Sequence, residues 1–219
     1  MLQDKYETKT DDYYGNYRQD ILPLVPKHVR KVLEIGCGTG NTLAYLKDNG
    51  YCDWVCGVEL FPNAAREAAL KLDNLYEDNV EEMRLPIDPA SIDMILCLDV
   101  LEHLVNPEKV VAYLHTLLTP GGIIIASIPN VRHYTASFPL LFQDKWDYKS
   151  DGILDVTHLR FFVRKTAIKL MESSGLVVEI AMPNVLGKTL RTINNCSFHI
   201  FESFFAIQYL IRATNTIVN

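Results

Sequence analysis

An apolar run that empties into a cluster of glycines constrains this chain more than any other feature. Lys31-Val-Leu-Glu-Ile35 is followed at once by Gly36-Cys-Gly-Thr-Gly40. The run has the length and branching of a buried strand, and the residues after it read as a helix with Leu43 and Leu46 on its apolar side and Gly50 as its terminator. A glycine-rich turn between strand and helix lets the backbone bend tightly and lets a ligand lie against it. In an open α/β sheet, ligands bind at such places, beyond the carboxyl ends of the strands.

The alternation continues along the chain. Residues 54–59 read as a second strand, and Pro62 opens an alanine-rich helix to about Leu72. A weak third strand at Leu75-Tyr76 and a strong fourth at 92–98 follow. A helix then runs from Asn106-Pro-Glu108 to Thr119-Pro-Gly-Gly122, ahead of a fully apolar fifth strand at 123–128. Strand-helix alternation of this kind predicts a mostly parallel sheet wound on both faces. Ahead of it, a helix is expected over 12–22, stopped by Pro23 and Pro26. Beyond it, residues 130–160 are aromatic, polar and irregular, then come a helix at 165–174 and strands at 177–181 and 206–213, with 184–205 partly helical. No repeat or linker interrupts the chain, so a single domain over 1–219 is expected.

Charge and cysteine usage narrow the functions. The net charge is −6, from 21 basic and 27 acidic side chains. Binding to a phosphate backbone needs a basic face, so nucleic acid is not an expected partner. Cys37, Cys52, Cys56, Cys97 and Cys196 form no disulfide framework, and no second pair or nearby histidine completes a zinc site around Cys52 and Cys56. They read as thiols in a reducing compartment, and no metal is predicted. The N-terminus is polar, and no apolar run approaches the ~20 residues that span a bilayer. A soluble, cytoplasmic protein is expected.

The second strand ends in Gly57-Val-Glu59, where an acid can accept two hydrogen bonds from a ribose diol. A nicotinamide enzyme is the rival reading, but the dinucleotide pattern GxGxxG wants glycine where this chain has Asn41. Val32-Leu-Glu-Ile-Gly-Cys-Gly-Thr-Gly40, Leu98-Asp-Val-Leu-Glu-His-Leu104 and Leu118-Thr-Pro-Gly-Gly122 resemble, in order, three motifs of the class I methyltransferases that depend on S-adenosylmethionine (SAM). The resemblance covers roughly 13–182. It implies a seven-stranded sheet whose last strand, 206–213, is antiparallel.

By the same resemblance Glu34, Gly36, Gly38 and Gly40 line the methionine end of SAM, Glu59 holds the ribose and Leu60 lies against adenine. Asn79, with Val80, stands where the family commonly places an aspartate for the adenine amino group; its amide oxygen can accept the same bond. Leu98 and Asp99 sit near the sulfonium, and Arg18, on the capping helix, pairs with the SAM carboxylate. The demethylated product, S-adenosylhomocysteine, would occupy the same place.

An oxygen acceptor also needs a base. His133 leaves the fifth strand and His158 follows the 130–160 insertion, so either is a candidate; simple loop hydrogen bonding is the alternative. His103 reads as partly structural. The segment carries Asn130, Arg132, His133, Tyr134, Trp146, Tyr148, His158 and Arg160, which together suit a sugar or another polar ring as acceptor. Asp151-Gly-Ile-Leu-Asp-Val-Thr-His-Leu-Arg-Phe-Phe162 is similar to small-molecule enzymes of glycan or surface-polysaccharide pathways. The expectation is methyl transfer to a hydroxyl of a small polar acceptor, and a SAM-binding sensor or scaffold without turnover is the other reading.

Overall fold

Residues 17–82, 84–185 and 187–216 are described by a computed structural model. The chain enters through a 3-10 turn at Gln19–Leu24, then alternates β1 (Val29–Ile35), α1 (Asn41–Asp48), β2 (Cys52–Glu59), α2 (Pro62–Ala68), β3 (Asn74–Glu77) and β4 (Ile92–Leu98). A 3-10 turn at Leu101–His103, α3 (Pro107–Leu117), β5 (Leu118–Pro129), α4 (Tyr134–Gln143) and α5 (Arg164–Glu172) follow. β6 (Val177–Val185), α6 (Lys188–Cys196), α7 (Glu202–Phe205) and β7 (Ala206–Thr214) complete it.

The seven strands form one sheet in the order β3-β2-β1-β4-β5-β7-β6. β7 runs antiparallel to both of its neighbours, β5 and β6, and the other recorded pairings are parallel. This is the doubly wound sheet with an antiparallel last strand that the sequence predicts.

Strand periodicity explains why the central strands read as unbroken apolar runs. Val32, Met94, Leu96, Ile123 and Ile125 join one core, with Leu43 and Leu46 of α1 and Ile21 and Leu24 of the first turn. Their neighbours Leu33, Ile95, Cys97, Ile124 and Ala126 point to the other face and meet Val110, Val111 and Leu114 of α3 and Leu170 and Met171 of α5. Both faces are buried, so no polar position alternates in. Cys37, Cys52, Cys56 and Cys97 are buried free thiols, and Cys196 is exposed and free.

Three expectations are corrected. Of the helix expected over 12–22, residues 12–16 lie outside the described residues; Arg18 is the N-cap of a 3-10 turn that starts only at Gln19, runs to Leu24 and contains Pro23. A 3-10 turn tolerates proline there because it is too short to need the missing amide donor. The Thr119-Pro-Gly-Gly122 stretch belongs to β5 rather than to a helix end, since Ile92 pairs with Leu118 before the register shifts. The 130–160 segment is not irregular throughout. It contains α4, whose N-cap is His133, with its Nδ1 accepting from the Thr135 amide.

Candidate active site

A cavity of about 520 Å³ opens at the carboxyl ends of β1, β2 and β4, where the helices and turns depart. Arg18, Glu34, Gly36, Gly38, Glu59, Leu60, Asn79, Val80, Leu98 and Asp99 all line it. Ten of the eleven residues expected around the cofactor are therefore brought to one cavity, from five separate stretches of chain. Gly40 is not among the lining residues, nor are His133 and His158.

The glycine turn is built for close approach. Gly36, Gly38 and Gly40 have φ of 67°, 55° and 76°. A Cβ on Gly36 would stand 2.5 Å from Val100 Cγ2, so the turn and the residue after β4 close on one another only with glycine there. Gly40 has a different task. It is the N-cap of α1, and a Cβ there would lie 3.3 Å from Ala68 Cα and 3.2 Å from Leu72, so its bareness lets α1 pack on α2.

Glu59 is 5% exposed and each of its oxygens has a partner. The Gly38 amide donates to Oε2 at 2.8 Å and the Phe61 amide to Oε1 at 2.9 Å. Burial pushes its carboxyl up from the usual range, and those backbone donors hold the rise in check. Glu34 is 3% exposed with Oε2 unpartnered among the described residues. Burial pushes it up to about 8, opposed by Arg18 and reinforced by Glu59.

That shift has a measurable sign. The unfolded carboxyl titrates near 4.5 and the folded one near 8, so between those values the native state keeps a proton that the unfolded chain has released. Stability contributed by this group therefore falls as pH rises from about 5 to 8. Glu34→Gln has no such proton to lose. Its melting temperature is expected to change less across that window than the parent's, and equal slopes in both proteins would contradict the assignment.

Burial works against the charge on Arg18, but ion pairs to Asp20 and Asp99 outweigh it and hold the guanidinium charged. Its Nε and Nη2 each donate to Asp20 at 2.9 Å, and Nη1 pairs with Asp99 Oδ2. Asp99 has a φ of 55°, rare for a residue with a side chain. Ser127 holds it there: the Asp99 amide donates to Ser127 Oγ at 3.0 Å, and that hydroxyl donates to Asp99 Oδ1 at 2.7 Å. Strain fixed in this way at the end of β4 is a common mark of a working site. Asn79 forms an Asx turn, its Oδ1 accepting from the Glu81 amide at 3.0 Å, and its Nδ2 donates to Glu82 Oε1 at 3.2 Å.

His103 is the imidazole that does line the cavity, together with Thr157 and Leu159. It sits four residues past the strained Asp99, on the 3-10 turn against which the 155–160 loop folds. The amides of Leu159 and Arg160 both donate to the Glu102 carbonyl at 2.9 Å. His158 is packed behind His103, ring centroids 4.7 Å apart, with its Nδ1 on the Ile153 carbonyl at 2.9 Å. His133 is half-committed to Thr135, its Nδ1 2.8 Å from Thr135 Oγ1, and burial holds its pKa below the usual value.

A seven-stranded sheet in this order, with a glycine turn and an acid at the end of β2 around one cavity, defines the class I methyltransferase fold. A profile described as "Methyltransferase domain" matches residues 6–180, and the chain belongs to that family. It is similar to the ubiquinone biosynthesis O-methyltransferase of Azoarcus sp. (strain BH72), 31% identical over 164 residues, covering 67% of each chain. The corresponding protein of Cupriavidus pinatubonensis is 28% identical over 162 residues, which is 67% of this chain and 63% of that one, so the chain spans less than two thirds of that relative. A SAM-dependent methyltransferase of Archaeoglobus fulgidus superposes with a TM-score of 0.66 at 18% identity, covering 97% of both, and shares the fold. Among the described residues no helix is long and apolar enough to cross a membrane.

Proposed function

We propose that the cavity takes SAM and that the chain transfers its methyl group to a hydroxyl oxygen of a small acceptor. The observation that carries this reading is the pair of buried carboxylates, Glu34 and Glu59, on the wall of a cavity with the Gly36–Gly38 turn along it. The residues present fit the cofactor. Glu59, fixed by two backbone amides, keeps a second lone pair on each oxygen for a ribose diol. Glu34, with a buried unpartnered oxygen, suits an ammonium group, whose positive charge would favour the ionised carboxylate over the protonated form. Leu60 and Val80 would flank the adenine and Asn79 would meet its edge, while Arg18, Leu98 and Asp99 border the methionine end.

SAM supplies an already activated methyl on its sulfonium. The chain's task is then to hold an acceptor oxygen in line, and orientation of this kind can contribute ~7–11 kcal/mol to lowering a barrier. From the chain just after β4 and from the 155–160 loop the cavity wall takes Val100, Leu104, Val105 and Leu159, with His103 and Thr157. That part of the wall is mostly aliphatic with one imidazole, which suits a hydroxyl carried on an apolar ring or chain. The names of the relatives, O-methyltransferases of ubiquinone biosynthesis, support an oxygen acceptor with an apolar body. The sugar reading is the weaker one, because none of the eight residues that motivated it lines this cavity.

Transfer of isotopically labelled methyl from SAM to a panel of catechol-type phenols and nucleotide sugars tests this. Label in the methyl ether of a phenol is the expected result. Label only in sugars would overturn the acceptor class, and bound SAM with no transfer to any acceptor would favour a sensor without turnover.

A further inference from the structure

Behind the cavity wall, the 3-10 turn Leu101–His103 and the loop 155–160 bring together two histidines and a glutamate from two separate stretches of chain. One donor atom each from Glu102, His103 and His158 lies within 4.8 Å of the other two. Glu102 is 1% exposed, and neither carboxylate oxygen has a hydrogen-bond partner among the described residues. His158 Nε2 stands 3.9 Å from Glu102 Oε1.

The hydrogen bonds behind the two rings determine what they present. Thr157 Oγ1 donates to Asp155 Oδ1 at 2.6 Å, so toward His103 it offers a lone pair. His103 Nδ1 faces that oxygen at 3.2 Å and the Thr157 carbonyl at 3.1 Å, both acceptors, and must carry the proton. His158 Nδ1 likewise faces a carbonyl, that of Ile153, at 2.9 Å. Each neutral ring thus has its lone pair on Nε2. A backbone carbonyl holding Nδ1–H is the arrangement by which proteins orient imidazoles toward a metal. A buried carboxylate beside them, with neither oxygen hydrogen-bonded, adds the third donor.

We infer that Glu102, His103 and His158 form a binding site for a divalent transition-metal ion of the zinc class. Two imidazoles and one carboxylate are a donor set that suits such an ion, and bonds of about 2.0–2.2 Å draw the three groups in from their present spacing by side-chain rotation. Three protein ligands leave a fourth position open, and His103 places the trio at the cavity wall. The catalytic meaning rests on the methyl transfer proposed above: an acceptor hydroxyl bound at that position would release its proton to water more readily, leaving the alkoxide or phenolate oxygen as nucleophile.

The test uses the full chain stripped with chelator, titrated with ZnCl2 by calorimetry and with Co2+ by visible absorption. The expected result is one ion per chain, with affinity at least 30-fold lower in Glu102→Gln and in His158→Asn and unchanged in Cys196→Ser. No saturable binding by the parent, affinity in either site variant equal to the parent's, or loss in Cys196→Ser would overturn it. Circular dichroism reports whether the variants fold. If neither does, the Co2+ spectrum of the parent decides: d–d bands without thiolate charge transfer support the site, and their absence or a thiolate band removes it. SAM titration of the same samples separates the two claims, since its failure bears on the cofactor and leaves the ion's stoichiometry standing.

Discussion

Gly38→Val is expected to remove SAM binding, with affinity falling at least 100-fold while the protein stays folded. Gly38 lines the cavity and holds φ at 55°. A β-branched residue is a genuine outlier in that region, so the turn would have to rearrange to accept it. Rearrangement pulls the Gly38 amide from Glu59 Oε2 and loosens one of the two donors that fix the carboxylate for a ribose. The added isopropyl group also takes space where the cofactor would run. Hydrogen bonds to charged groups contribute ~1.5–3 kcal/mol each, so losing the bond and the space together exceeds a factor of 100. Calorimetric titration reads the affinity and a melting curve shows whether the fold survives. Retained affinity in a folded variant would place the cofactor elsewhere.

Deleting residues after 205 is expected to unfold the chain rather than trim an appendage. β7 is not an edge strand: it lies between β5 and β6, and its ladder with β5 runs from Ile123–Thr214 to Pro129–Gln208. Tyr209, Leu210, Ile211 and Ala213 are 0–1% exposed. Burying each large side chain is worth about 1.5–3 kcal/mol, and removing the strand also strips hydrogen-bond partners from both neighbours. Total stabilities are only ~5–15 kcal/mol, so the loss is comparable to the whole. The truncated protein should show no cooperative melting transition. A melting temperature equal to the parent's would mean that the sheet closes without β7.

What could be read from sequence was whatever local chemistry decides. β4 was legible at its observed bounds because both of its faces are buried and every position between Ile92 and Leu98 but Asp93 is apolar. β7 was legible for the same reason, although Gln208 and Arg212 interrupt it. α4 was not. Pro139 lies inside it and only Ala136 is fully buried, so it carries almost no apolar stripe to mark its period. Its start is fixed by the His133 cap, which leaves no trace in the spacing of apolar residues.

The glycine turn and Glu59 were legible because a backbone requirement dictates their types. Where the histidines stand relative to the cavity was not, because that depends on how distant loops close and which way each ring turns. His133 and His158 leave strands and loops close to the site in sequence, yet one caps a helix and the other turns its Nδ1 to the Ile153 carbonyl. His103 stands on a turn to which a loop more than fifty residues away bonds back, at the Glu102 carbonyl. Long-range closure of that kind has no local signature. Glu102, in the same short motif, could have drawn notice as an acid in an apolar stretch, but its missing partners are visible only in three dimensions.

Titration of the unaltered protein with SAM, alongside NAD, tests the central claim most directly. One SAM per chain is the predicted result, with no saturable heat from NAD. Saturable binding of NAD and none of SAM would contradict it.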